Sequence, residues 1–204
     1  MFITFEGIDF CGKSTQAELL KKYFENNGQK VILIREPGGT IISEKVREIL
    51  LDKNNSEMKI ETEFLLFSSS RSQLVREIII PALKENNVVI SDRFHDSSTA
   101  YQGYGRGLDI DIINQINSFA ISNLIPDITF FIDTPVEVCL QRRAEKSKIE
   151  LDRIELSSLS FYQKVRNGYL KIAKSDSRFR IVNGSLTIEE IHNIIIKEII
   201  KKRI

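Results

Sequence analysis

Residues 1–15 read MFITFEGIDFCGKST. Phe2 to Phe5 are apolar apart from Thr4, the pattern of a short buried strand. Gly7 to Ser14 match the spacing G-x-x-x-x-G-K-[ST], and Ala17, Leu20 and Tyr23/Phe24 then recur at helical period. The motif thus stands between a strand and a helix, as it must if it is to wrap a phosphate. A loop that does so turns its N–H groups inward, and Gly7 and Gly12 permit this without a Cβ in the way. A helix opening near Lys13 adds free N–H groups and the positive end of its dipole. Lys13 can reach outer phosphates as a point charge, and the Ser14 hydroxyl suits a Mg²⁺ ion arriving with a nucleoside triphosphate. An ordinary Gly-rich turn would not account for Lys13-Ser14. The expectation is a nucleoside triphosphate held by Gly7, Ile8, Asp9, Phe10, Cys11, Gly12, Lys13, Ser14 and Thr15.

The 204 residues are expected to form one domain, 1–204, large enough for a proper core. Apolar residues at 42% and charged ones at 28% are ordinary for a soluble globular chain. A net charge of +1 supplies no basic field calling for nucleic acid as partner. The apolar start ends at Glu6, too short for a secretory signal, and no run reaches transmembrane length. Cys11, Cys139, His95 and His192 show no metal-type spacing, which argues against a disulfide scaffold or zinc site. A reduced, cytoplasmic setting without a membrane partner is the expectation.

Apolar β-type runs alternate with helical segments along the chain. Strands are expected over residues 2–5, 31–35, 88–91, 128–132 and 179–182. Helices are expected to follow Lys13 and to cover residues 42–51, 61–85, 108–124, 136–143, 153–175 and 188–202. This alternation implies βαβ units: an α/β fold with a five-stranded parallel sheet flanked by helices. Ile191, Ile194/Ile195 and Ile199 in the last helix read as a core-packing face, and its cationic end suits the helix dipole better than it argues for a membrane.

Ligands in open parallel sheets bind beyond the carboxyl ends of the strands. Past the first strand lie Asp9 and the phosphate loop, and past the second Arg35, Glu36, Pro37 and Gly38. Past the third come Asp92, Arg93 and a polar run to Arg106; past the fourth Asp133; past the fifth Asn183 and Gly184. An apolar run ending in an acid suits Asp92, with Ser14, to the neighbourhood of Mg²⁺. Arg35 and Arg93 at two strand ends point to a second anionic group facing the triphosphate, since guanidinium binds phosphate bidentately.

Four stretches together, REPGGT (residues 35–40), LLFSSSR (65–71), DRFHDSSTAYQGYGRG (92–107) and LDRIE (151–155), resemble bacterial thymidylate kinase. The resemblance runs from the first strand to about Tyr169 and implies phosphoryl transfer from MgATP to thymidine monophosphate. It implies Phe67 stacked on thymine, Arg71 on the base edge, Ser98 and Gln102 completing base recognition, and Tyr101 under the deoxyribose. Arg35 and Arg93 would hold the acceptor phosphate with Glu36, Pro37 and Ser97 beside them, and Asp9 would sit near the 3′-hydroxyl and the metal. The family's lid would fall at residues 142–153, rich in Arg142, Arg143, Lys146, Lys148 and Arg153. Phe10 stands where some relatives carry a catalytic arginine, so the mobile cation must come from the lid. Arg143 and Arg153, beside Lys13, Arg93 and Asp9, are the catalytic expectations. Cys11 reads as a small residue that fits the loop or as an oxidation-sensitive one, and His95 as structural. A homodimer built on the helix faces of 61–85 and 108–124 is implied by the resemblance. Other nucleoside monophosphate or deoxynucleoside kinases share the phosphate loop. A GTPase switch would want an N-K-x-D motif, which the chain lacks.

Overall fold

The computed structural model describes residues 1–145 and 151–203. Strand β1 (Phe2–Glu6) is buried along its whole length. It pairs in parallel with β3 (Val88–Asp92) on one side and β4 (Ile128–Asp133) on the other. With β2 (Val31–Arg35) and β5 (Phe179–Asn183) the order is β2-β3-β1-β4-β5, all parallel. Parallel sheets are covered on both faces, which is why these runs are almost continuously apolar. Ile3 and Phe5 pack with Leu20 and Phe24 of helix α1 (Lys13–Asn26) and with Ile195 and Ile199 of α9 (Ile188–Arg203). Phe2 faces the other way, with Val89, Phe94, Leu74 and Ile79. The isoleucine stripe of α9 is therefore core, and no helix among the described residues is long and apolar enough to cross a membrane.

Helix α2 (Ile41–Leu51) lies as expected, its first turn closed by Thr40, whose hydroxyl accepts from the Ser43 N–H. The expected helix over 61–85 is built in three parts: α3 (Ile60–Leu74), a wider π turn (Val75–Ile79) and α4 (Ile80–Lys84). The wide turn opens just before Pro81, which has no N–H to give and whose ring would press on the carbonyl a turn earlier. The polar run after Asp92, for which no element was expected, is helical: α5 (His95–Ser98) continues into a π turn (Thr99–Gly105). Helix α6 (Ile110–Ala120) is shorter than 108–124. Asp109 caps its start by accepting from Asp111 and Ile112 N–H, and left-handed Ser122 and Asn123 follow its end.

Helix α7 (Val136–Glu145) runs two residues past expectation, and residues 146–150, including Lys146 and Lys148 of the expected lid, lie outside the described residues. Helix α8 (Leu159–Ser175) begins later than residue 153. Asp152 first gathers the N–H groups of Ile154 and Glu155 into a turn, and Ser158 then caps the helix through Phe161 N–H.

Candidate active site

A cavity of about 630 Å³ opens at the carboxyl ends of the strands. Its floor is the loop between β1 and α1. Gly7 and Gly12 have φ of 144° and 106°, and a Cβ on Gly7 would lie 2.8 Å from the Ile132 carbonyl oxygen and 2.7 Å from Cys11 Sγ. Gly7 therefore supplies close approach as well as conformation. Cys11 is buried in that contact, and burial pushes its thiol pKa up, which makes it a fitting residue rather than a reactive one. Lys13 bends back over the loop, its Nζ 2.9 Å from the Ile8 carbonyl oxygen, and the Ser14 hydroxyl hydrogen-bonds the Asp92 carboxylate. A hydroxyl beside a strand-end carboxylate is the small set of hard oxygen donors that Mg²⁺ accepts while keeping its other positions for phosphate and water.

Arg93 joins this floor to the opposite wall. Its backbone is left-handed, φ 73°, and turns the side chain back across the sheet end. It pairs with the Asp9 carboxylate and donates to Gly7 O at 2.9 Å, Tyr101 Oη at 3.0 Å, Ser97 Oγ at 3.2 Å and Tyr169 Oη at 3.4 Å. Its guanidinium carbon lies 4.9 Å from the centre of the Tyr101 ring. Burial opposes the Arg93 charge, but Tyr101, Asp9 and Tyr169 outweigh it and hold its pKa above the ordinary value. Burial likewise works to raise Asp9, yet Arg93 and Lys13 prevail and lower it, so Asp9 stays an anion. Behind them Glu6 accepts from Phe94 N–H, Ser97 Oγ and Tyr169 Oη. Burial, reinforced by Asp96, raises its pKa to about 7.

On the β2 side, Arg35 donates to the Pro37 carbonyl at 2.9 Å and pairs with Glu44 at 3.0 Å. Arg47 of α2 donates to the same carbonyl at 2.8 Å and lines the cavity, a cation not among the residues expected from the sequence. Phe67, Ser97, Ser98, Tyr101 and Gln102 line the far wall. Glu36 also lines it; one of its oxygens accepts from Arg71 Nε at 2.7 Å, while Oε1 is buried without a hydrogen-bond partner among the described residues. Arg71 itself is 1% exposed and stands behind this wall, donating to Ser98 Oγ and Asn117 Oδ1, both at 3.0 Å, and to the Phe94 carbonyl at 3.3 Å.

The arginines of α7 and the segment after it are distributed differently from expectation. Arg142 lines the cavity, donating to Cys11 O at 3.3 Å and Gly184 O at 2.9 Å. Arg143 donates to Glu155 O at 2.7 Å and borders a separate small cleft. Arg153 donates to Leu50 O at 3.0 Å and lies 2.8 Å from the buried Glu63 carboxylate. Neither Arg143 nor Arg153 is among the described residues lining the cavity in this arrangement. His95 is partly buried outside the cavity, and desolvation there pushes its pKa down to about 4, a neutral structural residue.

The chain is similar to known proteins along nearly all of its length. The family model described as thymidylate kinase matches residues 5–195. The thymidylate kinase of Kosmotoga olearia is 50% identical over 199 residues, covering 97% of this chain and 94% of that one. That of Thermosipho africanus is 48% identical over 204 residues, covering 100% and 99%. A crystal structure of thymidylate kinase from Ehrlichia chaffeensis superposes with a TM-score of 0.78 at 38% identity, over 98% of this chain and 97% of that one. With a phosphate loop, a second group of arginines facing it across one cavity, and this extent of likeness, the chain belongs to the thymidylate kinase family and is a nucleotide-binding kinase.

Proposed function

We propose that this cavity is where the chain carries out its family's reaction, transferring the γ-phosphoryl group of ATP to the phosphate of thymidine monophosphate. The observation that carries the reading is Arg93: one guanidinium, charged and anchored on Asp9, bridges the phosphate loop and the wall of Tyr101 and Ser97. The donor phosphates lie on the loop from Gly7 to Thr15, under Lys13. Arg142 and Gly184 border the purine half. The acceptor phosphate lies against Arg35, Arg47 and Arg93. Its base lies against Phe67, Ser98 and Gln102, with Arg71 behind Ser98 holding that wall in place. Tyr101 sits beneath the sugar, where its ring crowds a 2′-hydroxyl.

Ser14 and Asp92 would hold Mg²⁺, which would supply neutralisation of charge on the donor phosphates. The acceptor oxygen is already a nucleophile, so no general base is required. The protein's work is to hold donor and acceptor in line and to set fixed positive charge around the moving phosphoryl group. Lys13 and Arg93 both line the cavity where that group would lie. The exposed apolar side chains Leu65 of α3 and Ile112 and Phe119 of α6 support a homodimer formed through these helices.

The reading is tested by ADP formation from MgATP with each nucleoside monophosphate in turn. Turnover with thymidine monophosphate far above the others is expected. Equal turnover with purine and pyrimidine monophosphates would refute the base assignment, and hydrolysis indifferent to every acceptor would refute the transfer reaction.

A further inference from the structure

Glu63 lies on α3, one helical turn before Phe67, and is 2% exposed. It does not line the cavity, yet it holds a residue that does: its Oε1 accepts from Gln102 Nε2 at 2.9 Å. Two guanidinium groups face the same carboxylate, Arg153 Nη2 at 2.8 Å and Arg106 Nε at 3.6 Å. Such a carboxylate can be buried because its charge is matched. It also has a directional consequence. A carboxylate accepts hydrogen bonds and gives none, whereas a glutamine amide can turn either its N–H₂ or its carbonyl to a neighbour. Against Glu63 the Gln102 amide has one arrangement: N–H₂ to Glu63, leaving the carbonyl Oε1 as the end available to the cavity.

We infer that Glu63 is a positioning residue for base selection, fixing the Gln102 amide so that it offers an acceptor to the Watson–Crick edge of the base. The inference rests on the cavity being the monophosphate site proposed above. An acceptor there matches the N3–H of thymine or uracil. Cytosine carries a lone pair at N3, which would face the Gln102 oxygen, and the amide cannot flip to meet it without turning its own oxygen on the Glu63 carboxylate. The cost of that wrong pairing is what separates the bases, as in other sites where a buried polar group is left unmatched. Arg153 and Arg106 serve this role from behind, by matching the charge that makes Glu63 an acceptor.

The test compares deoxyuridine with deoxycytidine monophosphate. Both lack the 5-methyl group, so the ratio of their kcat/KM values isolates the base edge. In Glu63→Gln the new amide can donate or accept, and Gln102 becomes free to turn. The ratio is expected to fall about tenfold or more, chiefly by a rise for deoxycytidine monophosphate, while KM for ATP is unchanged. In a Gln102→Ala background the same substitution is expected to leave the ratio where Gln102→Ala alone puts it. Glu63→Asp keeps the charge against Arg153 and Arg106 but withdraws the carboxylate from Gln102. It is expected to move the ratio the same way, and it carries the test should Glu63→Gln not fold.

Proportional loss with both substrates would mean packing alone and overturn the inference, as would a ratio that falls equally in the Gln102→Ala background. A wild-type enzyme that turns over thymidine monophosphate but does not distinguish the two probes would overturn it as well. Absence of thymidine monophosphate turnover by the wild type would instead remove the underlying assignment of the cavity.

Discussion

Replacing Arg93 with lysine keeps a positive charge and a β-carbon at a left-handed position, so what it removes is the planar fork. The five groups that Arg93 serves are Gly7 O, Ser97, Tyr101, Tyr169 and Asp9. An ammonium group has three N–H bonds on one atom and cannot span them, nor can it hold two phosphate oxygens side by side. If one charge-assisted hydrogen bond to the acceptor phosphate is lost in the transition state, the cost is about 1.5–3 kcal/mol. That corresponds to a roughly 10- to 150-fold fall in kcat/KM for thymidine monophosphate. A separate effect on stability of about 1–3 kcal/mol is expected from the Gly7 carbonyl left without its donor. Initial rates of ADP formation, with thymidine monophosphate varied at saturating MgATP and then the reverse, separate the two halves of the site. The loss is expected in kcat and in kcat/KM for the acceptor, with KM for ATP little altered. Denaturant unfolding of the same variant shows how much of it is folding. An Arg93→Lys enzyme with kcat/KM for the acceptor within about threefold of wild type would refute the bridging role. A defect confined to KM for ATP would refute it too, by moving Arg93 to the donor side.

Removing Arg71 strands Glu36 in a buried setting, so Arg71→Ala is expected to cost about 3–5 kcal/mol in urea unfolding. Glu36→Gln in the same chain should recover part of that, and an additive double variant would count against the pairing. Glu6 has a folded pKa of about 7 against 4.5 when unfolded. Its contribution to stability is therefore fully present below about pH 4.5 and lost as pH rises through about 7, a change of roughly 3 kcal/mol. The unfolding free energy of Glu6→Gln should fall less steeply across that window than that of wild type; parallel curves would exclude Glu6 as the source. A Cβ on Gly184 would lie 1.9 Å from Thr134 Oγ1 and 2.9 Å from Ile132 Cγ2. Gly184→Ala is thus expected to cost about 1–3 kcal/mol and, by shifting the carbonyl that holds Arg142, to raise KM for ATP and not for the acceptor.

The phosphate loop was legible because its chemistry is local: Gly7, Gly12, Lys13 and Ser14 are fixed by a strand before them and a helix after. The strand ends at Arg35, Asp92 and Arg93 were legible for a related reason, since parallel strands deliver their carboxyl ends to one edge. Side chains on helices were harder to read, because adjacent residues point about 100° apart and small errors of phase change their destination. Arg142 and Arg143 are neighbours in sequence, yet one faces the cavity and the other the Glu155 carbonyl. Arg47 was missed on the same grounds, a cation on a helix being an ordinary solvated residue until a loop such as Pro37 is folded against it. The helix from His95 through the π turn was hidden by its composition. Its serines, glycines and histidine carry no helical period and no element was expected there; Glu6 and Arg71 draw the Phe94, Ser97 and Ser98 groups inward at its start.

The order of the strands is what converts this list of side chains into a device for transfer. Periodicity identifies β1 as a strand but not as the central one, flanked by β3 and β4. Once β1 lies there, the phosphate loop that follows it stands at the midline of the sheet. The loops after β2 and β3 fall to one side, carrying Arg35 and Arg93; those after β4 and β5 fall to the other, carrying Arg142's helix and Gly184. A nucleotide whose phosphates lie on the loop has room for its base toward β4 and β5, and a second anion can approach from β2 and β3. Arg93 is the side chain that crosses from that second side back to Gly7. On the proposed reading the reacting phosphates meet at the loop whichever bases the outer walls select, with specificity in the walls and phosphoryl transfer at the centre of the sheet.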